Sequence, residues 1–256
     1  MKWNFNQSIT YENTLYRKYH LQSNHAPHIQ MINAPRREYA IHSLDSVGAK
    51  VKYKLKSIEN LPSLEVELSE VLKKRRSSWV FSELDLTFEM LEQLLTYSFG
   101  ISNIREKKRT YPSGGQFYPI EVYFVPTARS VDSNLLEEKV YKYNIDHQEI
   151  VEICDFNIDD LKAFSASTDV GFFSIDGCQI VLFLVAEDKD IFVKYLEFTY
   201  RIIHLDAGHM AQNFLLTSAA LGLSSIPIGG FYEKTVKQIL GLDNTSKMII
   251  YTLLGG

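Results

Sequence analysis

The sequence predicts an α+β fold, with a central mixed or antiparallel sheet packed by helices, on three observations. Ile120-Glu-Val-Tyr-Phe-Val-Pro alternates like a strand, and Val140-Tyr-Lys-Tyr-Asn with Gln148-Glu-Ile-Val-Glu-Ile reads as two more strands around an Asn/Asp turn. Gln179 to Ala186 is a continuous apolar run, as expected of a strand covered on both faces. From about Glu197 to Leu221, Ile202, Leu205, Met210, Phe214 and Leu221 repeat as the inner residues of a long helix. Strands interleaved with helices in this way indicate a sheet with helices against it.

Taken in chain order, residues 1–63 form an arm that is irregular apart from one edge strand. The arm holds His20, His25, His28 and His42, and its strand, Lys50-Val-Lys-Tyr-Lys-Leu-Lys, carries alternate lysines that discourage edge-to-edge pairing. The main domain, residues 64–256, opens on a helix with Leu64, Leu68, Val71 and Leu72 on one face. Thr87 is placed to cap a helix through Tyr97 that buries Phe88, Leu91 and Leu95 and stops at Gly100. After the long helix, Gly222 occupies the C′ position. Ile226-Pro-Ile-Gly-Gly follows, then a short helix from Glu233 to Leu240 stopped by Gly241, then an apolar strand from Met248 to Leu254. That last strand has no evident partner nearby in sequence and is expected to be exchanged across a homodimer.

Composition excludes several classes. With 256 residues, 45% apolar and 23% charged, the chain can bury a full core, so disorder and disulfide scaffolds are ruled out. Cys154 and Cys178 form no C-x-x-C, which fits a cytoplasmic protein. The apolar runs are far shorter than the ~20 residues of a membrane span, and the start lacks a secretory signal pattern. Residues 1–60 carry nine Lys or Arg against four Asp or Glu, whereas the remainder is acidic, so the net charge of −4 hides two differently charged parts. An acidic main domain without a reading motif argues against nucleic acid.

Four segments could carry chemistry. Lys73-Lys-Arg-Arg-Ser-Ser offers guanidinium forks and hydroxyls suited to a phosphate, although cations at a helix C-terminus also simply oppose the dipole. Pro112-Ser-Gly-Gly lets main chain approach a flat ligand, or is an ordinary tight loop. Lys194-Tyr195 can act as a base, because desolvation lowers a lysine and a nearby cation lowers a tyrosine; a snorkelling lysine at a helix start is the plainer reading. Ile226-Pro-Ile-Gly229-Gly230 is a second backbone approach point or a loop after a helix cap. No metal site is expected, since His204 and His209 are five residues apart and face different sides of a helix, with Asp206 between them.

Together and in this order, these segments resemble the nitroreductase-fold flavoproteins, and specifically the SagB-like azoline dehydrogenases of thiazole/oxazole-modified peptide biosynthesis. The resemblance covers about residues 64–256 and rests on Arg75-Arg-Ser-Ser-x-x-Phe81, Pro112-Ser-Gly-Gly-Gln-Phe-Tyr-Pro-Ile-Glu-Val-Tyr, Lys194-Tyr195 with Tyr200-Arg201, Leu205-Asp-Ala-Gly-His-Met-Ala-Gln-Asn-Phe-Leu-Leu, and Ala220-Leu-Gly-Leu. It implies a nitroreductase-like homodimer with two FMN sites at the subunit interface. By the same resemblance Arg75, Arg76 and Ser77 lie near the FMN phosphate and ribityl chain, Pro112, Ser113, Gly114 and Gly115 against the isoalloxazine, and Gly229 and Gly230 near its other edge. Lys194 and Tyr195 match the catalytic Lys-Tyr pair of the peptide dehydrogenases. Trp79 stands where the family often has Arg, and Leu196 and Phe198 where many members have Gly and Arg.

The activity so implied is oxidation of peptide thiazolines or oxazolines to azoles, on a precursor peptide and in a complex with a cyclodehydratase. The arm is expected to contact that partner or the peptide. A generalist NAD(P)H-dependent nitro or quinone reductase, an oxidase acting on a nonribosomal peptide, and a noncatalytic docking subunit are the alternatives.

Overall fold

The structure, a computed structural model, describes residues 15–22, 50–127, 136–169, 171 and 173–256. His25, His28 and His42 of the arm lie outside these. The arm contributes helix α1 (Leu15–Gln22) and strand β1 (Lys50–Lys54). There follow α2 (Leu68–Lys74), α3 (Phe88–Phe99), a short pair β2 (Ile101–Asn103) and β3 (Lys108–Arg109), and β4 (Ile120–Pro126). A hairpin of β5 (Val140–Asn144) and β6 (Glu149–Cys154) leads through short helices α4 (Ile158–Lys162) and α5 (Ala166–Asp169) to β7 (Ile180–Ala186). Last come α6 (Lys189–Tyr195), α7 (Thr199–Ala220), β8 (Ser225–Ile228), α8 (Glu233–Ile239) and β9 (Met248–Gly255).

Seven strands form one sheet in the order β1-β6-β5-β4-β7-β9-β8, and every pairing within it is antiparallel. The lysine-bearing β1 is an edge strand, as its sequence predicts. The terminal strand departs from expectation. β9 pairs with β7 from Ile180↔Gly255 to Ala186↔Met248, and with β8 from Ser225↔Gly255 to Ile228↔Thr252. Both of its edges are taken within its own chain, so it is not the strand a dimer would exchange.

Alternation along β4 and β7 divides the core into two layers. Val122, Phe124, Leu182 and Leu184 face the layer of α3 and α7, where they meet Leu91, Leu95, Phe99, Met210 and Phe214. Tyr123, Val125, Val181, Phe183 and Val185 face the other side, against Leu161, Phe164, Val236 and Leu240. Every residue of β7 is buried, which explains its continuous apolar run. Burying each of these large side chains contributes roughly 1.5–3 kcal/mol.

The helices follow their local signals. Thr87 Oγ1 accepts a hydrogen bond from Met90 N at 3.2 Å and caps α3, a contact worth about 1 kcal/mol. Gly222 ends α7 at φ +78°. Two expectations about inner faces fail. On α2 only Val71 is buried, whereas Leu68 and Leu72 are exposed. Leu205 is 56% exposed, because at about 100° per residue it lies nearly opposite the Ile203, Ala207, Met210 and Phe214 stripe that α7 presents to the sheet. The arm's α1 was not foreseen. It docks on the start of α7, with Tyr19 edge-on to Tyr200 at 5.1 Å and Arg201 Nη2 donating to the His20 carbonyl at 3.3 Å.

Candidate active site

Helix α6 ends at Tyr195 because Leu196 adopts φ +48° and turns the chain into a short 3-10 segment before α7. This break presents Lys194 and Tyr195 together. The Tyr195 ring stands edge-on to the buried Phe117 at 6.1 Å, and Lys194 Nζ lies 5.3 Å from the Tyr195 ring centroid and 5.7 Å from that of Phe117. An ammonium at that range from two ring faces interacts favourably with their quadrupoles. The pair therefore shares one aromatic platform, with its charge and its phenol side by side.

The 112–118 loop completes this cluster. A β-carbon on Gly114 would lie 2.6 Å from Ile202 Cγ2, and one on Gly115, which has φ +62°, would lie 2.8 Å from Tyr195 Oη. Glycine is thus required at both positions, by close approach to α7 at the first and by conformation and contact at the second. Ser113 Oγ donates to Asp206 Oδ2 at 2.6 Å and accepts from Tyr118 N at 2.9 Å. Arg109 steadies the base of the loop, 4.5 Å above the Tyr118 ring, hydrogen-bonded to Tyr111 Oη at 2.9 Å and ion-paired with Asp146 at 3.0 Å. Pro112 is exposed where the chain enters the loop.

Arg75, Arg76 and Ser77 stand elsewhere. Ser77 bridges Ser225 at the start of β8, and Ser78 N donates to the Ser225 carbonyl at 3.1 Å. Arg76 Nη1 donates to the Arg75 carbonyl at 2.7 Å, and among the described residues neither guanidinium is paired with a carboxylate. Two uncompensated guanidiniums beside an exposed serine form a donor set suited to an anion. Ser225 pairs with Gly255, which pairs with Ile180, whereas the 112–118 loop feeds Ile120, which pairs with Ala186. Ile180 and Ala186 are opposite ends of β7, so the arginine cluster and the loop are separated by about 20 Å of sheet.

Gly229 and Gly230 follow β8. A β-carbon on Gly229 would make only an ordinary contact with Tyr251 at 3.9 Å, and on Gly230 it would meet nothing within 4 Å. Within one chain, then, the structure joins Lys194, Tyr195, Ser113, Gly114 and Gly115 and leaves Arg75, Arg76 and Ser77 at the far end of the sheet. Arg109, Phe117 and Asp206 fall within motifs that the sequence singles out, but residue pattern alone assigns none of them a role at this site; no group of three ligating side chains occurs among the described residues.

Comparison with known proteins identifies the family of the chain. A family model described as "Nitroreductase family" matches residues 72–256. A Methanocaldococcus jannaschii protein named as a nitroreductase is 34% identical over 181 residues, 70% of this chain and 87% of that one. The microcin B17-processing protein McbC of Escherichia coli is 27% identical over 158 residues (62% and 57%), and the trifolitoxin-processing protein TfxB of Rhizobium leguminosarum bv. trifolii is 25% identical over 174 residues (62% and 44%). The matched region thus spans about half the length of these last two. In fold, the chain resembles an Anabaena variabilis nitroreductase structure with a TM-score of 0.71 at 23% identity, covering 99% of this chain and 49% of that one. It also resembles a chain of the E. coli microcin synthetase McbBCD complex with truncated pro-MccB17 bound, with a TM-score of 0.63 at 20% identity, covering 94% and 91%. On the family match and the shared architecture, the chain belongs to the nitroreductase family and is an oxidoreductase.

Proposed function

We propose that this protein is a SagB-like, FMN-dependent azoline dehydrogenase, which oxidises thiazolines or oxazolines in a ribosomally made peptide to thiazoles or oxazoles. The observation that carries this reading is the Lys194–Tyr195 pair held on Phe117 against the Ser113–Gly115 loop. The similarity to two proteins named for processing peptide toxins supports it.

The residues fit FMN if two copies of the chain share each site. Arg75, Arg76 and Ser77 would hold the phosphate, for which guanidiniums paired with no carboxylate among the described residues are suited, while Pro112, Ser113, Gly114 and Gly115, with Gly229 and Gly230, would give backbone access to the ring. Because these groups lie about 20 Å apart along one sheet, the second copy supplies what the first cannot. Leu68, Leu72, Tyr200 and Leu205 are exposed on α2 and α7 and form the surface on which the copies meet.

When bound, FMN supplies a hydride acceptor. Forming the azole removes one hydride and one proton from adjacent ring carbons. Tyr195, acting as a phenolate whose negative charge the Lys194 ammonium 5.3 Å from its ring favours, would take the proton from the azoline Cα and become a neutral phenol. The aromatic platform of Phe117 excludes water from one side of the pair. The arm, anchored through Tyr19 and His20 next to α6 and α7, contacts the peptide or a partner cyclodehydratase. The protein works in the cytoplasm, where its two free cysteines stay reduced.

The test is reconstitution with FMN followed by incubation with a peptide bearing a single thiazoline. Yellow protein that removes two hydrogens per ring by mass spectrometry is expected. Tyr195→Phe and Lys194→Ala should stay yellow and lose that mass change, and turnover retained in both variants would remove their assigned roles. The similarity to the M. jannaschii nitroreductase favours one other reading, a generalist reductase; steady NAD(P)H oxidation without any peptide would identify it.

A further inference from the structure

Asp206 is a buried carboxylate at 3% exposure on α7, one turn beyond Ile202. Among the described residues no lysine or arginine pairs with it. Its hydrogen bond is instead with the Ser113 hydroxyl, 2.6 Å away on the neighbouring loop. Burial pushes its carboxyl above the ordinary aspartate value, opposed by the Ser113 hydrogen bond, the Gly114 backbone N–H and His209; Tyr111 is the titratable group facing it from the loop side. In the fold it therefore binds its proton more tightly than in the unfolded chain, whose aspartates titrate near 3.9. At neutral pH its ionisation works against stability.

A buried carboxyl group with no lysine or arginine partner among the described residues calls for a use, and the loop supplies one. Gly115, Gln116 and Tyr118 all have positive φ, at +62°, +61° and +49°. For the two that carry side chains this conformation is disfavoured by about 1–2 kcal/mol each and persists only where neighbours enforce it. Ser113 Oγ accepts Tyr118 N–H, closing a hydrogen-bonded ring across the strained residues, and donates to Asp206, which ties that ring to α7. Gly115 and Phe117, the two loop residues that meet Tyr195, lie inside that ring.

We infer that Asp206 is a positioning residue, which clamps the 113–118 loop on α7 so that Gly115 and Phe117 fix the placement of Tyr195. The inference rests on the function proposed above, and its test has one arm that needs no flavin. Asp206→Asn keeps the shape but turns half of the acceptor into a donor facing donors. Ser113→Ala removes the link and Ser113→Thr keeps it.

In the flavin-free full-length protein, deuterium uptake by a peptide covering residues 113–118 should quicken at least about tenfold in Asp206→Asn and Ser113→Ala and stay at the wild-type rate in Ser113→Thr. In the FMN-loaded protein acting on the single-thiazoline peptide, the first two variants should lose about tenfold or more in kcat with KM within about threefold, as expected of misplaced reacting groups. Their thermal midpoints should remain near wild type. Wild-type exchange in both Asp206→Asn and Ser113→Ala, or wild-type kcat in both, would overturn the inference. If Asp206→Asn does not fold, Ser113→Ala alone decides. A wild-type protein that turns over no thiazoline refutes the proposed function instead, leaving the exchange arm to judge the clamp.

Discussion

The tip of Tyr195 lies directly over Gly115, where a β-carbon would come within 2.8 Å of the phenol oxygen. The proposed base and the loop that approaches the ring are therefore in contact within one chain. Gly115→Ala should displace Tyr195 and strain a backbone at φ +62°. We expect a stability loss of about 1–2 kcal/mol with a fall in turnover on the order of 100-fold. Chemical denaturation and single-thiazoline turnover measure the two, and an unchanged turnover would show that the contact has no functional weight.

The arginine cluster should act on flavin affinity and leave the chemistry alone. Arg75→Ala or Arg76→Ala each removes a charged donor, a loss of about 1.5–3 kcal/mol per contact, or roughly ten- to a hundredfold in Kd. Titrating apoprotein with FMN by fluorescence should show this weakening, and wild-type affinity should become salt-dependent through the same charges. At saturating FMN the turnover should recover.

Shared sites make flavin content depend on assembly. Leu205→Asp places a charge on the exposed face of α7 and should shift the protein towards monomer in light-scattering chromatography, with FMN content falling in parallel. A monomeric wild type that binds FMN fully would sink the two-copy arrangement.

Glu121 makes a separate prediction about acid stability. Burial alone would push its carboxyl up, but Lys142 at 2.6 Å and Lys247 at 2.7 Å more than offset this and hold it below the usual carboxylate value. A depressed folded pKa gives stability that is present above the unfolded value of about 4.3 and lost as pH falls through the folded one. Glu121→Gln leaves two lysines facing each other with no counter-charge and should cost about 3 kcal/mol at neutral pH. The gap between variant and wild type should narrow on acidification, as followed by urea midpoints across pH.

Local pattern revealed much of this molecule. The Thr87 cap, the strands β4 to β7, the lysine-studded edge strand and the long helix are each encoded within a few residues, by side-chain periodicity or by a capping oxygen. What escaped is non-local. Asp206 and Ser113 are 93 positions apart, and a single acidic residue in an apolar helix has no period that announces its partner. The exposure of Leu205 and Leu72 follows from which side of each helix the sheet occupies, and the strand partners of β9 depend on sheet order. Lys194 and Tyr195 are neighbours in sequence and group by their chemistry, a pairing that the resemblance to a flavoprotein family reinforces, whereas the contact of Tyr195 with Gly115 is visible only in three dimensions.

β9 follows every other described strand in sequence, yet it sits between β7 and β8. As the chain leaves the ribosome, β7 presents a fully apolar strand with one long unpaired edge, and β8 has only the single bridge of Ser225 to Ser77, until residues 248–255 emerge. An edge of that kind is a template for pairing with other chains. Folding yield should therefore depend on the arrival of residues 248–255, and mutations that slow the insertion of β9 should appear as aggregation of newly made chains before any change in the stability of mature protein.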